Sequence, residues 1–245
     1  MPLPQYPVIL RQKKQLSQNT LQLDFEFQGG APTDFSFIAG QFVQLLIPDG
    51  DKVHKRSYSI ACSMASFQAS GCLEIAISFV EGGLASEFFQ TAETGLMLNI
   101  SGPFGVLTLP DQFSGQLVLV GTGTGIAPYR AMLPLIKKLP DQGVPVTVIM
   151  GARYRQDLIY QQDFMALQAV NCQICLSRED QRQEHSNEYP GYVQQRFQSL
   201  NLNSEQDLVY LCGNPGMIDD AAAVLKELGF PPRQIKREKY VYSGH

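Results

Sequence analysis

The sequence predicts two domains, an antiparallel β-barrel over residues 1–111 followed by an α/β domain with a parallel sheet over residues 112–245. Three observations predict this. In the first half, short segments alternate apolar and polar residues with period two and are separated by Gly, Pro, Asp and Ser clusters. In the second half, apolar strand-like runs alternate with helical apolar spacing, the order that builds a parallel sheet with helices on both faces. At the junction, Leu117-Val118-Leu119-Val120 runs straight into Gly121, Gly123 and Gly125, and helical spacing follows at Met132, Leu133, Ile136 and Leu139. That is a strand, a tight turn and a helix.

Taken in order, Leu21, Leu23, Phe25 and Phe27 alternate with Gln22, Asp24 and Glu26, the pattern of a half-buried strand. Phe42 to Ile47 and Tyr58 to Ala61 are further expected strands. Leu73, Ile75, Ile77 and Phe79 alternate with Glu74, Ala76 and Ser78, and Leu96 to Ile100 and Val106 to Leu109 complete the set. One helical segment, Leu84 to Thr91, interrupts them. Pro110 to Gly115 reads as a linker. Beyond it, strands are expected at Leu117 to Val120, Val146 to Met150, Gln173 to Leu176 and Leu208 to Leu211. Helices are expected near Ala127 to Leu139, Gln161 to Val170, Tyr192 to Leu200 and Gly216 to Leu228, with Pro134 kinking or shortening the first of them.

Bulk properties narrow the function. The 245 residues are 44% hydrophobic, enough for a sizeable core in each of two domains. A formal charge of −4 with dispersed basic residues argues against nucleic-acid binding. No apolar run has membrane length and no basic-then-apolar leader follows Met1, so a soluble cytoplasmic protein without membrane insertion is expected. The five scattered cysteines read as reduced thiols. Cys172 and Cys175 have redox-motif spacing but lie in a strand-like run rather than at a helix start. His54, His185 and His245 are too dispersed to propose a metal site, and no iron–sulfur spacing is present, so no metal is expected.

The glycine turn after Val120 suits an anion. Glycines permit positive φ and close backbone approach, and the following helix offers unpaired N–H groups. Its G-x-G-x-G spacing is neither the dinucleotide fingerprint nor a Walker loop. Two other turns end strands of the same half, Gly151-Ala152-Arg153 and Cys212-Gly213-Asn214-Pro215-Gly216-Met217. In an open parallel sheet all three face one crevice. In the barrel half, Arg56-Ser57-Tyr58-Ser59 places Arg56 and Tyr58 on one side of a strand and Ser57 and Ser59 on the other. Gly82-Gly83 then opens the segment Leu84-Ala85-Ser86, a second phosphate-friendly turn. One such turn per domain points to two cofactors meeting at an interface.

Arg-x-Tyr-Ser, Gly-Gly-x-x-Ser, Gly-Pro-Phe-Gly (Gly102 to Gly105), Gly-Thr-Gly-Thr-Gly-Ile-Ala-Pro and Cys-Gly-x-Pro-x-Met, in that order, resemble the ferredoxin-NADP reductase family over nearly the whole chain. The resemblance implies FAD in the barrel domain and NADP(H) in a Rossmann-like domain. Arg56 would pair with the FAD pyrophosphate, Tyr58 would stack on the isoalloxazine, and Ser59 would bond near flavin N5. Gly83, Leu84, Ala85 and Ser86 would hold the pyrophosphate. Gly123, Thr124 and Gly125 would carry the nicotinamide nucleotide's pyrophosphate, with Cys212 beside the carbon that gives up hydride.

Ser177 and Arg178 would bind a 2′-phosphate, Arg153 is a second candidate for it, and Tyr192 resembles the adenine-side tyrosine. Gly191 departs from the pattern, standing where a phosphate-binding lysine is common. The tail looks like the bacterial type of these reductases. Tyr240 would cover the flavin, Tyr242 to His245 would reach toward adenine, and Glu238 would relay a proton. The implied function is hydride transfer from NADPH to FAD and electron delivery to ferredoxin or flavodoxin by a monomer. The alternatives are an NAD(P)H-dependent reductase component of an oxygenase, a free-flavin reductase, and a non-catalytic regulatory subunit that keeps FAD.

Overall fold

A computed structural model describes residues 4–33, 35–180 and 187–240. The chain divides into two compact units. Among the described residues, one runs to Leu109 and takes in Ala127–Met132, and the other holds Pro110–Ile126 and residues 133–240.

The first unit is a six-stranded antiparallel sheet built from β1 (Gln5–Ser17), β2 (Thr20–Phe27), β3 (Phe42–Asp49), β4 (Lys52–Ser59), β5 (Cys72–Ser78) and β6 (Met97–Phe104). Helix α1 (Met64–Ser70) precedes β5, and α2 (Leu84–Thr91) follows it. The order is β4-β3-β6-β1-β2-β5, and a bridge between Ile60 and Ile75 joins the end of β4 to β5, closing the sheet on itself. Alternation along β2 and β5 delivers Leu21, Leu23, Phe25, Phe27, Leu73, Ile75 and Ile77 to one buried cluster with Phe67 of α1 and Phe89 of α2. Full burial of one such side chain contributes about 1.5–3 kcal/mol, so the alternation fixes the register.

In the second unit all pairing is parallel. Its strands are β7 (Leu117–Thr122), β8 (Val146–Ala152), β9 (Asn171–Leu176), β10 (Glu188–Pro190), β11 (Leu208–Gly213) and β12 (Ile235–Lys239), in the order β10-β9-β8-β7-β11-β12. The chain runs outward from β7 to β10 on one side and from β11 to β12 on the other, so strand order reverses between β7 and β11. Leu117 to Val120 have no exposed surface, as a strand covered on both faces requires. A 3-10 turn over Val193–Ser199 and α6 (Pro215–Glu227) pack on one face through Val193, Phe197, Ile218, Ala221 and Leu225.

Several expectations are corrected. Strands β1, β10 and β12 and helix α1 were not anticipated. The strand expected at Tyr58 to Ala61 begins earlier, at Lys52, in a polar run with little apolar signal, and ends at Ser59. Val106 to Leu109 forms no regular element. There Leu107 is buried and Val106 is 90% exposed, so the alternation records burial in an irregular segment. The helix expected over Ala127 to Leu139 is broken into α3 (Ala127–Ala131) and α4 (Leu133–Ile136), with Pro134 in the second piece, where its missing N–H cannot continue a helix from α3. Gln161 to Val170 is helical only in α5 (Gln161–Met165), and Tyr192 to Leu200 winds as the 3-10 turn.

Candidate functional site

The residues singled out in the sequence fall into two groups, one in each unit. In the first, β4 pairs with β3 so that Arg56 lies opposite Leu45 and Tyr58 opposite Val43. Arg56 and Tyr58 are half-buried, Ser57 is exposed and Ser59 is buried. Arg56 Nη1 donates to the Lys55 carbonyl at 3.0 Å. The Tyr58 ring packs on the barrel core, and burial pushes its phenol well above the ordinary range.

The second turn of this unit is shaped by Gly82, at φ +67°, and by Gly83, the N-cap of α2, which makes no side-chain cap bond. A Cβ at Gly83 would lie 3.0 Å from the Val80 carbonyl oxygen and 3.1 Å from Ser86 Oγ. Ser86 is buried, and its hydroxyl accepts from the Val80 N–H at 2.8 Å. The serine therefore holds the loop in shape while keeping its own hydrogen to donate. Leu84 is half-buried and Ala85 is buried.

In the second unit the point of strand reversal is tied into one knot. Gly121, Cys212 and Glu238 stand side by side across β7, β11 and β12. A Cβ on Gly125 would lie 2.2 Å from the Cys212 carbonyl oxygen, so only glycine lets the turn pass there. Gly123, at φ +55°, is exposed and has open space around it. Thr122 Oγ1 accepts from the Asn214 N–H at 3.1 Å, and the Tyr240 hydroxyl donates to the Thr124 carbonyl at 3.2 Å. The Tyr240 N–H donates to the Gly213 carbonyl at 3.0 Å. Cys212 is fully buried, and burial first, then the Glu238 carboxylate, push its thiol far up, so it stays protonated and neutral. Beside this knot a crevice is lined by Gly121, Gly123, Met150, Gly151, Asp157 and Ile159.

Further along the sheet edge, the ladder between β8 and β9 continues beyond the strands. The Ser177 N–H donates to the Ala152 carbonyl at 3.1 Å and the Arg178 N–H to the Arg153 carbonyl at 2.9 Å. Arg153, Ser177 and Arg178 are thereby brought to one place, with both guanidinium-bearing residues exposed. Tyr192 follows β10 and is 62% exposed, a flat ring open to a ligand. Gly191 has φ +86°, and a Cβ there would lie 2.2 Å from Gln195 Oε1. The departure from lysine is thus imposed by the backbone. Tyr242 and His185 lie outside the described residues.

Sequence reasoning missed Thr122, whose hydroxyl accepts from the Asn214 N–H and so holds the turn after β11, although it sits inside the glycine motif. It also missed Asp157 to Ile159 and the ion pairs of Arg155, whose partners lie far away in sequence without a repeating pattern. Among the described residues no group of three or more His, Cys, Asp or Glu side chains is arranged to hold a metal, and no helix is long and apolar enough to cross a membrane.

Comparison with known proteins agrees with the two-domain organisation. Residues 7–109 match the oxidoreductase FAD-binding domain and residues 119–223 the oxidoreductase NAD-binding domain. The chain is 30% identical to "Ferredoxin--NADP reductase B" of Sorangium cellulosum over 92% of its own length and 93% of that protein's. It is 29% identical to "Toluate 1,2-dioxygenase electron transfer component" of Pseudomonas putida over 98% of its length and 68% of that protein's. A ferredoxin NADP+ reductase from Neisseria gonorrhoeae, solved with bound FAD and NADP, shares its fold with a TM-score of 0.81 at 22% identity, over 97% of this chain and 99% of that one.

Proposed function

The chain belongs to the ferredoxin reductase family of FAD- and NAD(P)-binding oxidoreductases, and from that premise we propose that it oxidises NADPH and hands electrons singly to a small carrier protein of the ferredoxin or flavodoxin kind. The residues fit FAD. A half-buried guanidinium suits a diphosphate, a half-buried tyrosine offers a flat apolar face, and the glycine N-cap of α2 leaves first-turn N–H groups without a side-chain cap. Bound FAD supplies the conversion between a two-electron donor and one-electron acceptors.

The chain's own residues bind and orient. Arg56 and the Gly83–Ser86 turn hold the diphosphate, Tyr58 sets the plane of the flavin ring, and the Ser59 hydroxyl serves the ring edge. In the second unit, Gly123, Thr124 and Gly125 receive the nucleotide diphosphate. The neutral Cys212 thiol has no exposed surface and is hydrogen-bonded to Tyr240, so it would border the nicotinamide as a small polarisable wall once Tyr240 moves aside. Glu238, beside it in register, holds or releases a proton at its carboxylate, and Tyr240 closes the same end of the sheet.

The preference for NADPH is carried by one observation, the junction of Arg153, Ser177 and Arg178 at the ends of β8 and β9. A hydroxyl and two guanidinium groups suit a phosphomonoester better than a ribose hydroxyl. Its five cysteines are free thiols, four of them buried, which favours a reducing compartment such as the cytoplasm. A second reading, a reductase component serving an oxygenase, is favoured by the likeness to the toluate dioxygenase component.

The deciding experiment is anaerobic titration of the yellow protein with NADPH and with NADH, then with purified ferredoxin. Rapid bleaching by NADPH and saturable, salt-sensitive electron delivery support the proposal. Delivery only to an oxygenase supports the second reading. Arg178→Ala raises KM for NADPH about tenfold, as loss of a charge-assisted hydrogen bond predicts, and leaves NADH within about twofold. Equal effects on both would remove Arg178 from phosphate recognition.

A further inference from the structure

We propose that Arg155, which need not touch the nucleotide, is a specificity-determining positioning residue for the 2′-phosphate. This inference rests on the NADPH reading above. Arg155 lies two residues beyond Arg153, and its backbone N–H donates to Glu179 Oε2 at 3.0 Å. Its guanidinium grips Glu188 with two parallel bonds, Nε to Oε1 at 2.7 Å and Nη2 to Oε2 at 2.5 Å. Nη1 lies 3.7 Å from Glu179 Oε2. The Glu188 side chain is 4% exposed, and that of Glu179 is 19% exposed.

Three segments are thereby tied to one cation. Glu179 follows Arg178 directly, Glu188 opens β10, which leads to Gly191 and Tyr192, and Arg155 itself stands on the loop that carries Arg153. These are the segments that carry the proposed contacts to the adenosine end.

The charge balance gives the tie a second consequence. Two carboxylates sit beside a site meant for a phosphomonoester, which bears a charge of roughly −1.5 to −2 at neutral pH. The Arg155 guanidinium pairs with Glu188 and lies beside Glu179, offsetting one of the two charges. Without it, Glu179 and Glu188 would repel the phosphate and compete for the Arg153 and Arg178 guanidinium groups. NADH lacks the 2′-phosphate, so its binding would feel little of this. Arg155 therefore acts on the difference between the two nucleotides.

Calorimetric titration of the FAD-loaded protein with 2′,5′-ADP and with 5′-AMP isolates the 2′-phosphate from the rest of the nucleotide. Arg155→Ala is expected to weaken 2′,5′-ADP roughly tenfold and 5′-AMP less than twofold, and Arg155→Ala/Glu179→Gln to recover most of the loss. Glu179→Gln alone, which keeps the bidentate pair and the fold, is expected to tighten 2′,5′-ADP about two- to fivefold without moving 5′-AMP. Equal weakening of both ligands in Arg155→Ala would show a purely structural role and overturn the proposal, as would unchanged 2′,5′-ADP binding in both single variants. Wild-type protein that binds the two ligands equally would sink the NADPH reading itself, and this inference with it. A wild-type preference for 2′,5′-ADP that is undiminished in Arg155→Ala would sink only the inference.

Discussion

At the residue scale, two glycines of one turn do different work. Gly125 is needed for packing, since its Cβ would sit 2.2 Å from a backbone oxygen of β11, whereas Gly123 has open space and a positive φ. Gly125→Ala should therefore force β7 and β11 apart and destabilise the protein by about 2–3 kcal/mol, lowering Tm by roughly 4–12 °C. Gly123→Ala should cost about 1–2 kcal/mol of backbone strain and mainly weaken NADP+ binding, because a methyl then stands on the surface the diphosphate approaches. Thermal melts and calorimetric titration separate the two outcomes, and a reversed pattern would contradict these roles.

Buried thiols act at the same scale. Burial pushes Cys172 and Cys175 from 9.0 to about 12. The folded chain keeps these protons after the unfolded chain has lost them. The contribution is complete below pH 9 and is lost as pH rises from 9 toward 12, at about 1.4 kcal/mol per pH unit for each thiol. Urea midpoints at pH 8 and pH 10 should fall more steeply in wild type than in Cys172→Ala. Parallel slopes would refute the assignment.

At the element scale, what could be read beforehand was whatever has a period. Leu21 to Phe27 and Leu73 to Phe79 alternate because one face is buried and the other is wet, and both are strands. β12 reads Ile-Lys-Arg-Glu-Lys and sits at a sheet edge, so its pairing is made by backbone groups that leave no mark on side-chain pattern. β4 escaped in part for the same reason, being Lys-Val-His-Lys-Arg-Ser-Tyr-Ser, with its ladder made to β3 alone. The strand and glycine turn after Leu117 were readable, while the ion pairs of Arg155 join positions 24 and 33 residues apart through folding alone. α6 shows an element signal that was legible and is testable. Asn214 caps it, accepting from the Met217 N–H at 3.2 Å, and Pro215 follows as the first helical residue. Asn214→Ala should cost about 1 kcal/mol, or roughly 2–4 °C in Tm, and disturb the segment that Thr122 holds. Circular-dichroism melts check the first figure, and a change within error would show that the Thr122 bond alone sets this helix start.

At the scale of the whole molecule, one hydrophobic cluster of the described residues lies inside the antiparallel sheet and another between the parallel sheet and α6. Each has its own hydrogen-bonded ladder, so local opening in one need not open the other. Of the proposed FAD contacts, Arg56, Tyr58, Ser59 and the Gly83–Ser86 turn belong to the first unit. A ligand stabilises what it binds by RT ln(1 + [L]/Kd), about 2.7 kcal/mol when its concentration is a hundred times Kd. Removing FAD should then speed amide exchange in β3, β4 and the Gly82–Ser86 turn, while the amides of β7, β8 and β11 keep their protection. Adding 2′,5′-ADP to the FAD-free protein should do the converse, slowing exchange at the ends of β8 and β9 and leaving the barrel unchanged. Hydrogen exchange read by mass spectrometry of peptides from each unit makes the comparison directly. Uniform loss of protection across both sheets on FAD removal would mean that the two clusters unfold as one, and the assignment of FAD to the first unit would then need other support.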